Sequence, residues 1–225
     1  GFRVWPYQTD GTDPSGQQPN TIAWTEDQLL GLHGANIADL FGADASGSYT
    51  NLTVINYNIE AGTTERGNFT NDVFFPGIPG TTAMTGNSSM EALTFLHFPA
   101  AGVYRIGVNS DDGFRVTAGK NPRDRFAPIL GEYNGGRGAG DTLFDVVVEQ
   151  AGYYPCRLLW ENGNGELTGN SASCEWFTLA ADGTKVLIND LSNPNAIKAY
   201  YAGPLSTYVK WLNPLPGAVN VPVAT

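Results

Sequence analysis

The sequence predicts an all-β protein: a jelly-roll-like antiparallel β-sandwich with one short helix near residues 25–34 and an extended C-terminal tail. Apolar and polar residues alternate over many short runs. Turn signals separate those runs every ~8–12 residues. Gly, Asn and Asp gather in the connections, where a turn can use them and a strand cannot. The 225 residues suffice for one large sandwich with a buried core.

Taken in order, "GFRVWPYQ" at the N-terminus is aromatic and strand-like, and needs a sheet partner to avoid being a sticky edge. The loop "TDGTDPSGQQPN" holds Asp10 and Asp13, turn formers before they are cation ligands. In "TEDQLLGLHG", Thr25 and Gln28 have capping-box spacing, and Gly31 or Gly34 ends the helix. "EALTFLHF" (91–98) and "GVYRIGV" (102–108) form a hairpin across "PAAG". "GFRVTAG" follows. The Gly-rich stretch "NGGRGAGD" (134–141) lacks the Lys-Ser/Thr ending of a phosphate loop and reads as a flexible surface connection. "TLFDVVVEQ" (142–150) and "YYPCRLLW" (153–160) are strands with clear inward faces. "CEWFTL" and "TKVLIND" flank "AADG", a second hairpin.

Composition excludes several functions. A net charge of −10 disfavours nucleic acid and anionic membranes as partners. No apolar run approaches the ~20 residues that span a bilayer. The chain opens on Gly1 rather than Met, which reads as a processed or excised piece of something longer. His33 and His97 are too few for a His-rich metal site. No nucleophile elbow, zinc helix or facing carboxylate pair stands out, so the chain reads as a non-enzyme.

Cys156 and Cys174 lie in strand-like runs on either side of a Gly/Asn loop. The expectation is a cross-strand disulfide worth about 3 kcal/mol, which implies an oxidising, extracellular setting. Two buried thiols are the alternative. Three sequons, at Asn51, Asn68 and Asn87, point to the same compartment as possible glycosylation sites.

The chemistry concentrates in "VNSDDGFRVTAG" (108–119). Asp111 and Asp112 are adjacent like charges at the end of a strand. Either they are solvated in a type I turn with Gly113 left-handed, or something positive sits there. Ca2+ takes six to eight oxygens, and no EF-hand loop is present to supply them all. Two loops at one end of a sandwich can. The second is "ENGNGELTG" (161–169), whose glycines let carbonyls turn inward.

"AGVYRIGVNSDDGFRVTAG" and "AGYYPCRLLWENGNGELTG" together resemble the β-sandwich module named after the anthrax toxin protective antigen. That module is found in yeast flocculins, bacterial adhesins and some glycosidases. The resemblance rests on Ser-Asp-Asp-Gly after one strand and Tyr-Pro-x-x-Leu before an Asn/Gly loop, over residues ~90–190. It implies one calcium shared by Asp111 and Asp112 across a cis peptide. It also implies ligation by the Asn162 side chain and by the carbonyls of Asn164 and Glu166, with sugar hydroxyls in the open positions. Glu166 departs from the pattern, because its own carboxylate competes for the metal. Other branches of the family keep the Asp pair for structural calcium alone.

Residues 1–200 form the expected module, and 201–225 a linker or donor-strand tail. The stretch "VKWLNPLPGAVNVPVAT" resembles the start of a bacterial immunoglobulin-like repeat. Val219, Val221 and Val223 alternate, and Pro214, Pro216 and Pro222 keep the segment extended. Two functions follow. One is a calcium-binding, carbohydrate-binding adhesion module of a secreted or surface protein, with glycans as partners. The other is a subunit of an extracellular filament, built head-to-tail by strand addition between copies.

Overall fold

Alternation becomes a sheet first in β1 (Phe2–Gln8), where every second residue is buried. Phe2 and Val4 enter the core, and β1 pairs on both sides, with β2 (Tyr49–Asn51) and with β4 (Ser88–Phe98). Pro6 cannot donate to a ladder. Its strand is compatible because β2 stops pairing at Val4, and the Asn36 side chain takes over that edge, bonding Pro6 O at 3.1 Å and Gln8 N at 3.0 Å. The computed structural model describes residues 1–12, 16–81, 85–163 and 171–201.

The remaining elements are α1 (Ile22–Leu29), β3 (Asn56–Asn58), β5 (Gly102–Asp111), β6 (Phe114–Ala118), β7 (Ile129–Tyr133), β8 (Gly140–Val148), β9 (Gly152–Asn162), β10 (Ser173–Leu179), β11 (Lys185–Leu187) and β12 (Lys198–Tyr200). Among the described residues they make two antiparallel sheets. The first runs β2-β1-β4-β9-β6-β7, with β12 also on β4. The second runs β11-β10-β5-β8, with β3 also on β10. Inner-face residues interdigitate into one core: Met90, Leu96, Phe114, Leu158 and Trp160 from the first sheet, Ile106, Val108 and Trp176 from the second. The all-β sandwich and the β10–β11 hairpin match the expectation. β4 and β5, expected to pair across "PAAG", do not: that short connection carries the chain from one sheet to the other, and β4 pairs with β1, β9 and β12 while β5 pairs with β8 and β10.

The helix differs in position. It starts after Thr21, whose Oγ1 accepts from Trp24 N, and not at a Thr25–Gln28 box. Thr25 and Gln28 are buried instead. Gln28 ties α1 to the first sheet, donating to Asn87 O at 2.6 Å and accepting from Ser89 Oγ at 2.6 Å. Polar groups at capping spacing thus serve tertiary contacts. Gly31, with φ +78°, ends the helix as expected. Beneath α1, on the outer face of the first sheet, Arg157 forms two bonds to Glu26 (2.7 and 2.9 Å) and one to Glu91 (2.6 Å). All three side chains are nearly solvent-free.

The disulfide expected between Cys156 and Cys174 does not occur. Their strands belong to different sheets: Cys156 pairs with Thr94 and Ala118, Cys174 with Ser110 and Tyr57. Both are buried free thiols. Burial pushes the Cys156 thiol up to about 12 and raises that of Cys174 as well. Neither should be alkylated by iodoacetamide at pH 7.5 in the folded protein, and both should be after denaturation. An intact mass 2 Da low would contradict this.

The sequons fare unevenly. Asn87 is fully buried and accepts from Gln18 N at 3.1 Å, so the folded chain has no room for a glycan there. The Asn51 amide donates to Val54 O and Tyr57 Oη. Asn68 is exposed, and its amide donates to Asp141 and Glu175. Asp10 caps its own turn through Thr12. Asp13 and the tail strand at 219–223 lie outside the described residues.

Candidate functional site

β5 belongs to the second sheet and β6 to the first, so the chain crosses the sandwich between Asp111 and Phe114. The connection from β9 to β10 crosses back at the same end. The two loops expected to cooperate therefore do meet. Glu161 N donates to Gly113 O at 3.1 Å, and Asp112 N donates to Glu161 O at 3.2 Å. The Asp111–Asp112 peptide is cis, as the resemblance implied. Gly113 is not left-handed. A Cβ there would lie 2.8 Å from Tyr133 O and press on the Glu161 carboxylate. Close approach, not turn conformation, requires glycine.

The two carboxylates are held, not solvated, so the type I turn with exposed Asp side chains is ruled out. Asp111 is 4% exposed, and its Oδ2 accepts from Ser171 Oγ at 2.8 Å. Its carbonyl accepts from Trp160 Nε1 at 3.0 Å. Asp112 Oδ1 accepts from Arg137 N at 2.8 Å and Oδ2 from Gly163 N at 3.1 Å. Burial pushes Asp111 up to about 6, with the Ser171 bond opposing it, and raises Asp112 too. Asn162 is buried beside them, its Nδ2 donating to Thr85 O at 3.1 Å. Asn164 and Glu166 lie outside the described residues.

Two residues escaped the sequence reading. Arg137 comes from the Gly-rich stretch taken for a flexible connection. Its guanidinium bonds Ser110 O, Ser110 Oγ and Thr142 Oγ1, and stacks 4.1 Å over the Tyr133 ring. The same stretch caps α1, since Ile22 N donates to Asn134 Oδ1 at 2.9 Å. The one cation in a run of glycines was the available signal. The other is Asn20, left-handed at φ +59°, whose side chain bonds Asp112. Gly163 stands where any Cβ would strike the Asn20 side chain. Nothing local marked Asn20, because its partner is far along the chain.

Glu161 adds a third carboxylate, fully buried on the outer face of the first sheet next to Asp112. Neither of its oxygens has a hydrogen-bond partner of good geometry. Burial, then the Asp112 charge, pushes it up to about 8, and the Gly113 N–H only weakly opposes the shift. An acid raised in the folded state stabilises fully below its unfolded value and loses that contribution as pH rises through the folded one. Chelated protein should therefore lose of the order of 3–5 kcal/mol from this group between about pH 4.5 and pH 9. Glu161→Gln should flatten the profile measured by urea unfolding. Parallel profiles for the two proteins would refute the assignment.

Among the described residues, none of Asp111, Asp112 and Glu161 forms an ion pair. Nor does any group of three or more His, Cys, Asp or Glu side chains gather as a metal cluster. Two carboxylates and an amide fit a hard, oxygen-seeking divalent cation as part of its shell.

The fold is that of PA14 domains. The chain is similar to the PA14 domain of the antifreeze protein MpAFP (13% identity over 90% of this chain and 92% of that one, TM-score 0.54). It is similar to the PA14 sugar-binding domain of an RTX adhesin (15%, 84% and 94%, TM-score 0.51). It is also similar to the A domain of epithelial adhesin 9 from Candida glabrata, solved with Galβ1-3GlcNAc (15%, 86% and 87%, TM-score 0.54). No family model matches the sequence, and no curated protein matches it.

Proposed function

We propose that this chain is a calcium-dependent carbohydrate-binding module of an extracellular or cell-surface adhesion protein, and that it binds rather than catalyses. The observation that carries this reading is the pair of adjacent carboxylates, buried Asp111 and half-buried Asp112, gathered without an ion pair where both crossover loops meet. The sugar-binding and glycan-complexed domains of like fold support it. Asp111, Asp112 and the Asn162 amide would hold the calcium, with carbonyls at 164 and 166. The ion would supply a seat for two vicinal sugar hydroxyls. The chain's own part is positioning. Ser171 fixes Asp111, the N–H groups of Arg137 and Gly163 fix Asp112, and Trp160 fixes the carbonyl between them.

A glycan array read with calcium and again with chelator tests this. Calcium-dependent signal on glycans with vicinal hydroxyls is expected. No such signal, with calcium binding retained, would reduce the site to a structural ion.

A further inference from the structure

At the end of the sandwich away from Asp111, the two sheets part along one side. The registers place the ends of β6 and β8 and the start of β9 there: Ala118 pairs with Cys156, and Val148 with Gly102. Between them lies a cavity of about 360 Å3, lined by Phe98, Ala118, Leu130, Val146, Tyr154 and Cys156. Ala118, Leu130, Val146 and Tyr154 face the core yet stay only partly buried, because this corner of the interior is unfilled. Tyr154 turns its hydroxyl out to Gln150 O. Among the described residues, the one charged lining residue is Lys120.

Lys120 is unusual for this chain. Among the described residues, every other basic side chain makes an ion pair or a hydrogen bond. Arg137 bonds Ser110 and Thr142, Lys198 bonds two carbonyls, and the remainder pair with carboxylates. Lys120 does neither and is exposed. A lone cation beside an apolar hollow complements a ligand with an apolar body and one anionic end. Taking the ~30 Å3 that a water occupies in the liquid as the share of one heavy atom, the space holds roughly twelve. Decanoate has about that size.

We propose that this cavity binds a medium-chain alkyl carboxylate, its chain between the sheets and its head on the Lys120 ammonium. The site is separate from the proposed sugar site and needs no calcium. The ligand gains from removal of its methylenes from water and from one charge-assisted bond at the rim.

Titration calorimetry of the full chain with decanoate, kept below its micellar concentration, tests this. A single site is expected, unchanged by chelator, with butyrate failing to bind. Lys120→Met should weaken decanoate about tenfold, the loss of one charge-assisted hydrogen bond, and leave decanol binding unchanged. Lys120 is exposed, so this variant should fold. Equal decanoate affinity in wild type and Lys120→Met would overturn the proposal. So would the absence of any binding heat at two temperatures.

Discussion

Asp112→Ala is expected to abolish the single calcium isotherm that wild-type protein gives after chelation. The substitution removes one of two carboxylates from a shell that needs six to eight oxygens, and Asp111 with Asn162 cannot replace it. Asp112 also accepts from Arg137 N and Gly163 N, so alanine leaves two partly buried donors unpaired. Asp112→Asn separates the effects, since it keeps an acceptor but loses the charge. Linkage supplies an independent measurement. Calcium at 100 times its dissociation constant adds about 2.7 kcal/mol. For a domain of this size that raises Tm by about 5–11 °C. Wild type should show the rise and both variants should not. A calcium-dependent rise retained in Asp112→Ala would move the ion elsewhere.

Arg157→Ala should be the most damaging change outside the apolar core, at about 3–5 kcal/mol. The alanine leaves Glu26 and Glu91 buried beneath α1 without their shared guanidinium. Arg123 still reaches Glu91 at 2.5 Å, but its side chain is 49% exposed, and solvent weakens that contact. Chemical denaturation at pH 7 measures the loss. Adding Glu26→Gln to the Arg157→Ala background should recover part of it, because the cost lies in uncompensated charge rather than in volume. A loss under about 1 kcal/mol would mean that water reaches these groups.

Strands that bury one face against the core were legible, because alternation encodes that burial directly. β5, β8 and β9 stand close to their expected limits. The short strands β2, β3, β7 and β12 have too few residues for a pattern, and their pairing is set by neighbours distant in sequence. In the site, adjacent Asp residues announced themselves. Arg137 and Asn20 did not, because each acts on Asp112 across a tertiary contact that leaves no local trace. The cysteines misled for a related reason. Strands next to each other in sequence read as partners in one sheet, whereas the chain crosses the sandwich between β9 and β10, as it does between β4 and β5. Thr25 and Gln28 had the spacing of a cap and the duty of a cross-link.

The central position of β4 governs how this chain can be made. Its partners are residues 3–8, 152–162 and 198–200, so its neighbours come from the beginning, the later half and the last described strand. Each pairing closes a long loop before it returns any contact energy, and such topologies fold in milliseconds to seconds rather than microseconds. During synthesis the aromatic first strand has only the short β2 to pair with until β4 has been made, and β4 then waits for β9. A nascent chain stopped near residue 150 carries both Asp111 and Asp112 but lacks the strand whose Trp160 and Glu161 hold them.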